Sequence, residues 1–227
     1  MHGDAGLLAE IRQVIADSPF HGEGHRKIWA RLRHRGFRTS KDRVRRLMRE
    51  NQLLAPQRQI APAPARAHEG TIIPEQPNQM WGTDATATVT LAGGQTTVFA
   101  AIDHKTAECV GIHAAKRATR FEALEPIRQG VKEHFGGFQN NAAVGLKIRH
   151  DHGSQYMSDT FQREIRFLGM ESSPAFVRQP EGNGCIERFF RTLKEQLLWV
   201  RHFHDLDELR HCANSATSTT ANGSSNA

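Results

Sequence analysis

The sequence has few cysteines, and this scarcity excludes several kinds of protein. Cys109, Cys185 and Cys212 are the three, and they lie far apart. An odd number at such distances forms neither a disulfide framework nor a CxxC zinc knuckle. His21 and His25 have the i,i+4 spacing of a metal-binding pair, but no nearby cysteine pair completes four zinc ligands. A disulfide-stapled domain and an N-terminal zinc site are therefore both excluded.

Long hydrophobic runs are also missing. No apolar segment of the 227 residues approaches the roughly 20 residues that a membrane-spanning helix needs. The N-terminus lacks the basic-then-apolar pattern of a secretory signal. We therefore expect a protein that has no membrane partner and stays in the cytoplasm. Hydrophobic residues make up 38% of the chain, which is compatible with a packed core in one full domain and a smaller one beside it.

Acidic residues are almost missing from one stretch of the chain. Residues 26–49 hold 11 basic side chains and a single acid, Asp42. Residues 1–68 hold 14 Lys and Arg against 6 Asp and Glu, whereas residues 69–227 hold 16 against 18. The excess positive charge therefore lies in the first third of the chain. This segregation indicates two modules with different tasks and a polyanionic partner for the first.

The basic first module has the pattern of short helices. Apolar spacing predicts helices over 7–17, 25–35 and 41–50, with Ser40 as the N-cap of the third. Helix, short turn, helix is the arrangement of a helix-turn-helix DNA reader, which we assign to residues 1–53. A solvated helix face is the alternative, but such a face normally interleaves acids for i,i+4 pairing. Six basic residues are expected to contact DNA phosphates, giving affinity rather than sequence choice: Arg26, Lys27, Arg43, Arg45, Arg46 and Arg49.

A proline-rich linker is predicted over residues 54–80, and an α/β pattern follows it. Strands are predicted over 81–89, 96–102, 109–114 and 144–149, with a hairpin at Gly93-Gly94 between the first two. Helices are predicted over 119–135, 159–168 and 187–200. This element order is that of a ribonuclease-H-like α/β domain. We assign residues 81–210 to this domain.

Three acids stand in unusual sequence contexts. Asp84 lies within the first predicted strand of the second module, Asp151 just after the fourth, and Glu187 near the start of a long amphipathic helix. A carboxylate in a strand that faces a core is costly unless it is paired or bound to metal. Three acids brought together repel each other, and divalent cations relieve that repulsion. Ligand sets made only of oxygen suit Mg²⁺ or Mn²⁺ rather than zinc.

Such a trio suits two-metal phosphoryl transfer. Two ions, ~3.5–4 Å apart, can hold the attacking and the leaving oxygens of an in-line displacement. One ion lowers the pKa of a water or of a DNA 3′-hydroxyl, and the other stabilises charge on the departing oxygen. No covalent enzyme intermediate is required. We therefore expect two Mg²⁺ or Mn²⁺ ions as cofactors.

The motifs around these acids resemble those of a known family. The stretch from Trp81 to about residue 209 resembles the catalytic core of insertion-sequence transposases with a retroviral-integrase-like DDE domain, and residues 21–51 resemble the helix-turn-helix segment before it. The first acid lies in Trp-Gly-Thr-Asp and the second in His-Asp-His-Gly-Ser-Gln-Tyr. The 35 residues between Asp151 and Glu187 match the family interval. Lys194 matches a basic residue seven places after the glutamate, almost two helical turns on, where it can hold a DNA phosphate.

Other polar residues near these motifs have ordinary structural interpretations. Asp103, in Ile-Asp-His-Lys, is expected to be a turn or N-cap residue. For His150 and His152 we favour hydrogen bonds to loops over metal or DNA contact. Residues 153–155 are expected to shape the loop beside Asp151.

The resemblance implies a function and a set of partners. The chain is expected to be a transposase that cleaves and joins DNA, acting as a homo-oligomer on element ends and target duplex near the nucleoid of a prokaryote. An upstream reading frame of the element would supply a further helix-turn-helix protein. The alternatives are an inactive remnant that only binds DNA and, less favoured, a nuclease of RNA–DNA hybrids. Residues 211–227 lack charge beyond His211, large apolar side chains and periodicity. We therefore expect a disordered tail from a truncated or frameshifted end.

Overall fold

Three short helices form the N-terminal module in the computed structural model, which describes residues 3–55, 74–175 and 183–224. They are α1 (Asp4–Ala16), α2 (His25–His34) and α3 (Lys41–Glu50). Ser40 caps α3, because its side chain accepts a hydrogen bond from the Arg43 N–H. The predicted helices are confirmed. Their apolar faces pack into one shared core, formed by Leu7, Ile11, Val14, Ile28, Leu32, Val44, Leu47 and Met48.

A five-stranded mixed sheet forms the centre of the second module. Its strands are β1 (Met80–Thr90), β2 (Gly94–Asp103), β3 (Cys109–Ala115), β4 (Lys147–His150) and β5 (Glu171–Pro174). The spatial order is β3-β2-β1-β4-β5. β1, β2 and β3 are antiparallel neighbours, whereas β4 runs parallel to β1 and β5 parallel to β4. This is a ribonuclease-H-like sheet, as the resemblance implies.

Helices cover both faces of this sheet. α4 (Arg120–His134) and α5 (Asp159–Phe167) lie on one face, where they pack against Trp81 and Phe99. α6 (Gly184–Leu193), a π-helical turn (Lys194–Leu198) and α7 (Leu206–Ser224) follow later in the chain. They pack on the opposite face against Ala100, Ile102 and Ile112. β3 and α4 approach closely at Gly111, where a Cβ would collide with the backbone carbonyl of Pro126.

The alternation of β1 assigns its residues to these two faces. Trp81 belongs to the core beneath α4 and α5. Gly82 and Asp84 lie opposite Ile102 and Ala100 of β2, which belong to the core beneath α6 and α7. Directly opposed residues of an antiparallel pair point to the same face. Asp84 therefore lies on the α6 side of the sheet.

The structure corrects three predictions about the second module. Residues 171–174 form β5, which the sequence did not predict, and the helix expected over 187–200 begins at Gly184 and becomes π-helical at Lys194. The expected disordered tail is wrong for residues 211–224, which belong to α7. Leu209, Cys212 and Ala213 are buried in the core on the α6 face.

Among the described helices, none is long and apolar enough to cross a membrane.

The predicted linker lies mostly outside the described residues, which omit 56–73. Its end is folded: Met80 is the first residue of β1. The Asn78 N–H donates a 2.6 Å hydrogen bond to Asp103, and the Asn78 side chain accepts one from the Trp81 indole. Residues 78–80 are therefore attached to the second module.

Candidate active site and DNA-binding surface

Asp84 and Asp151 come from neighbouring parallel strands. β1 and β4 are in register at Gly82 and Arg149. Asp84 lies two residues after Gly82, and Asp151 two residues after Arg149, so the two acids follow this pair at equal distances along the chain. The Asp84 carboxylate accepts a 2.7 Å hydrogen bond from the Ala85 N–H, and Asp151 accepts one of 2.8 Å from the Gly153 N–H. Local backbone donors thus orient both carboxylates.

Glu187 lies in the first turn of α6 and is exposed. Ile186, Phe190 and Leu193 anchor α6 to the sheet on the face that carries Asp84. Lys194 follows after seven residues, where the π-helical turn begins. Because the stretch between them is α-helical, Glu187 and Lys194 lie on nearly the same side of the helix.

The charges of the other three groups act on the pKa of Asp84. Burial raises the pKa of Asp84 to about 6, the Ala85 N–H opposes this rise, and the negative charges of Asp151 and Glu187 raise the pKa further. The positive charge of Lys194 acts in the opposite direction. The other two acids and the lysine predicted from the sequence therefore all influence the pKa of Asp84.

The donor chemistry suits a hard divalent cation, but the side chains do not converge on one point. Carboxylate oxygens are the ligands that Mg²⁺ and Mn²⁺ prefer. The pKa of Asp84 is raised first by burial and then by the charges of Asp151 and Glu187. Within residues 3–55, 74–175 and 183–224, no three His, Cys, Asp or Glu side chains form a group that could hold a metal ion. The residue types of the trio therefore suit such an ion.

The structural interpretation of Asp103 is confirmed. Its side chain is buried in the turn after β2. Besides the Asn78 N–H, it accepts hydrogen bonds from the Lys105 and Thr106 N–H groups at 2.8 Å and from the Thr106 hydroxyl. Its carboxylate is therefore occupied by the turn that it organises.

His150 also has the structural role that the sequence predicts. Its Nδ1 lies 2.6 Å from the Asp151 carbonyl oxygen and its Nε2 lies 2.8 Å from the Ser172 hydroxyl. The ring is buried and stacks on Tyr156. Burial lowers the pKa of His150. The hydrogen bonds of His150 hold the backbone next to Asp151. His152, in contrast, is exposed.

Three polar residues near the site escaped the sequence analysis. His104 Nε2, Arg149 Nε and Asn183 Oδ1 are buried without a hydrogen-bond partner. A Cβ on Gly82 would lie 2.6 Å from His104 Nε2 and 2.9 Å from Asn183 Oδ1. A side chain at this position would therefore require His104 and Asn183 to move. The glycine within Trp-Gly-Thr-Asp was the available signal.

The predicted DNA-binding arginines of α3 fall into two groups. Arg43 and Arg46 reach back to Asp4 of α1, with N–O distances of 2.6 and 2.5 Å, and Arg46 also pairs with Glu50. Hydrogen bonds from Arg46 and then Arg43 lower the pKa of Asp4. These two arginines thus join α3 to α1.

Arg26, Arg45 and Arg49 are exposed. Arg45 and Arg49 have i,i+4 spacing, so they lie on one side of α3. At His25 of α2, burial lowers the pKa, and the charges of Arg45 and then Arg26 lower it further. We call Arg26, Arg45 and Arg49 the basic face.

Lys27 lies elsewhere, at the contact between the two modules. Its Nζ lies 3.4 Å from Oε1 of Gln196, a residue of the π-helical turn, and 5.3 Å from the ring centroid of Phe20. Glu23 is a further neighbour, at 4.0 Å. Partial burial lowers the pKa of Lys27. The structure thus separates Lys27 from the basic face.

Two family models match the chain. An HTH-like domain model matches residues 2–60, and an integrase core domain model matches residues 74–180. The second match includes Asp84 and Asp151 and ends before Glu187. These matches agree with the two modules of the structure.

Known proteins with similar sequences include transposases of Escherichia coli. The chain is 29% identical over 203 residues to transposase InsD for insertion element IS2A/D/F/H/I/K of Escherichia coli, covering 87% of this chain and 66% of that protein. The InsD protein for IS2-9 of strain K12 is equally similar, with 65% of its length covered. The chain therefore spans slightly less than two thirds of the length of these relatives.

Solved structures that align with this chain include an intasome and an integrase catalytic core domain. A simian T-cell lymphotropic virus intasome in complex with a PP2A regulatory subunit aligns at 21% identity and a TM-score of 0.46, over 73% of this chain and 54% of that one. The HTLV-2 integrase catalytic core domain in complex with magnesium aligns at 18% identity and a TM-score of 0.44, over 64% and 86%.

Proposed function

Because this chain carries an HTH-like domain followed by an integrase core domain and is homologous to the InsD transposases, we propose that it is a transposase. It binds the ends of a mobile element and carries out metal-dependent cleavage and strand transfer. The main support is the register of β1 and β4, which brings Asp84 and Asp151 to adjacent strands on the face covered by the helix of Glu187.

The proposed chemistry assigns a role to each acidic group. Asp84, Asp151 and Glu187 would hold one or two Mg²⁺ or Mn²⁺ ions, which supply Lewis acidity for activating a water or 3′-hydroxyl and for stabilising the leaving oxygen. The Ala85 and Gly153 N–H groups fix the directions of the two aspartates before substrate arrives. Ionisation of Asp84 is opposed by burial and by the other two acids. A cation held by the three acids would favour the ionised form of Asp84.

The basic groups are assigned to DNA. Lys194, on nearly the same side of its helix as Glu187, donates hydrogen bonds to a phosphate close to the reacting bond. The basic face neutralises duplex phosphates farther away and holds the element end. Both the element ends and the target are duplex DNA, and we propose that a homo-oligomer acts on them in the prokaryotic cytoplasm, associated with the nucleoid. A helix-turn-helix protein from an upstream frame is a further proposed partner.

Conservative replacements of the acids test this function. Asp151→Asn and Glu187→Gln should each abolish cleavage of element-end DNA in Mg²⁺ while duplex affinity stays close to wild type. Their combination should lose no more than either alone, because the acids act as one unit. Glu171→Gln is the matched control, since Glu171 is exposed on β5 and faces Lys147. Cleavage at the wild-type rate by Asp151→Asn would overturn the assignment.

A DNA-binding protein without catalysis is the second candidate. It is favoured by one observation: the described side chains form no closed metal site. In that case the wild-type chain would bind duplex DNA but cleave neither with Mg²⁺ nor with Mn²⁺. Direct titration of the wild-type protein with Mn²⁺ distinguishes the two candidate functions. A transposase must bind Mn²⁺, and Asp84→Asn should weaken that binding.

A further inference from the structure

The loop between α1 and α2 is held in a defined shape by its own polar contacts. Ser18 donates a 2.7 Å hydrogen bond to Glu23 and accepts one of 3.1 Å from the Phe20 N–H. Glu23 is almost fully buried and accepts a hydrogen bond from Arg31 of α2. We call residues 18–23 the docking loop. Its contacts tie it to α2 and present Phe20 outward from the N-terminal module.

The docking loop packs into the core of the second module. Phe20 is only 5% exposed. It belongs to the hydrophobic cluster that contains Phe190, Leu193 and Leu197. Among the described residues of this cluster, Phe20 alone comes from the N-terminal module. An aromatic side chain in such a position contributes its burial to the contact between the modules rather than to the core of its own module.

A backbone hydrogen bond also joins the docking loop to the second module. The His21 N–H donates to the Gln196 carbonyl oxygen at 2.8 Å. Gln196 lies in the π-helical turn, and the last carbonyls of a helix lack partners within it. The Lys27 ammonium reaches the Gln196 side chain from the same side. The module therefore contacts both the backbone and the side chain of one residue.

The residue in contact is close to the chemistry. Gln196 lies two residues after Lys194, and the Lys194 carbonyl accepts the Trp199 N–H within the same π-helical turn. Leu193 and Leu197, which flank Lys194, pack in the cluster with Phe20. Phe20 therefore packs in one cluster with residues of the helical segment that carries Lys194.

We propose that the docking loop is a positioning element for the active site. Phe20, the His21 N–H and Lys27 hold the π-helical turn, and this contact fixes both the direction of Lys194 and the placement of the basic face relative to the acid trio. Lys27 accordingly acts through Gln196, not by binding DNA phosphate. The inference rests on the proposed function, because it assigns the contact a part in DNA cleavage.

Hydrogen exchange of the full-length chain tests the contact without relying on activity. The exposed His21 has its amide bonded to Gln196, so this amide should be protected in the wild type and exchange at least about tenfold faster in Phe20→Ala. The Trp199 amide should also lose protection. The Leu53 amide, bonded to the Met48 carbonyl inside the N-terminal module, should keep its protection. That control shows that the module itself remains folded.

Replacing each of two neighbouring basic side chains, Lys27 and Arg26, tests the positioning role. Lys27→Met should slow cleavage by about 10- to 100-fold, because small misplacements of a binding group cost that much, and should leave duplex affinity unchanged. Arg26→Met, one residue earlier on the basic face, should weaken duplex binding and leave the His21 amide protected.

The outcomes separate this proposal from the proposed function. An unprotected His21 amide in the wild type, or cleavage at the wild-type rate by both Phe20→Ala and Lys27→Met, would overturn the positioning role. A wild-type chain that never cleaves DNA would contradict the proposed function, while the exchange data would still decide whether the modules dock.

Discussion

Replacing Asp84 by Asn should stabilise the metal-free protein at neutral pH. Burial, Asp151 and Glu187 together raise the pKa of Asp84 from 3.8 to about 6. One pKa unit corresponds to about 1.36 kcal/mol, so ionised Asp84 lowers the free energy of unfolding by up to about 3 kcal/mol. Asp84 is partly exposed, so solvent screening brings the expected gain for Asp84→Asn to about 1–3 kcal/mol.

The pH dependence follows from the direction of this shift. Since the folded state binds the proton of Asp84 more tightly than the unfolded state, the contribution of Asp84 to stability is complete below about pH 4. It is lost as the pH rises through about 6. The difference in unfolding free energy between wild type and Asp84→Asn should therefore widen from pH 4 to pH 7 and stay constant above that range.

Urea unfolding at several pH values, in EDTA, measures this difference. Asp103→Asn is the matched control, because Asp103 is buried but saturated with hydrogen-bond donors. Its replacement should destabilise by about 1–3 kcal/mol. Adding Mg²⁺ should stabilise wild type and have little effect on Asp84→Asn. An Asp84→Asn protein less stable than wild type at pH 7, with no change in pH profile, would refute the reasoning.

Three further predictions concern DNA binding and packing. Replacing Arg45 and Arg49 by Ala should flatten the slope of log affinity against log salt by about two. Replacing Arg43 and Arg46, which bridge to Asp4, should instead lower the melting temperature. Equal salt slopes for the two double variants would contradict the division of these arginines into two groups. Gly111→Ala should destabilise by about 1–3 kcal/mol in denaturant melts, because the new methyl group meets the α4 backbone. Ending the chain after residue 210 should lower the melting temperature, since α7 contributes buried side chains; an unchanged melting temperature would restore the interpretation of this segment as a tail.

Periodicity predicted the elements that are long or have one clear apolar face. The strands β1 to β3 consist largely of β-branched and small apolar residues, and α3 has its cap and its apolar stripe, so both were predictable. β5 was missed because Glu-Ser-Ser-Pro is polar and short, and only pairing with β4 makes it a strand. The helix at α7 was missed because its apolar contribution is small. Leu209, Cys212 and Ala213 become a buried face only through packing against β3 and α6.

Each of the three acids could be singled out from the sequence because it lies in its own motif, whereas the roles of the basic residues depend on packing. Sequence placed Arg43, Arg45, Arg46, Arg49 and Lys27 in one class. The structure divides them according to which residues of other elements they meet. The π-helical turn was also beyond prediction, since no local residue pattern distinguishes it from a continuation of α6.

The central position of β1 has a consequence for how the chain folds. On one side, β1 pairs with β2 through a tight hairpin. On the other side its partner, β4, comes more than 50 residues later in sequence. Local pairings form faster than distant ones. The β1–β3 meander should therefore form first, with the far edge of β1 open to pairing with another chain until β4 arrives. Slow closure of this edge, rather than weakness of the finished core, is where we expect aggregation of newly made chains to begin.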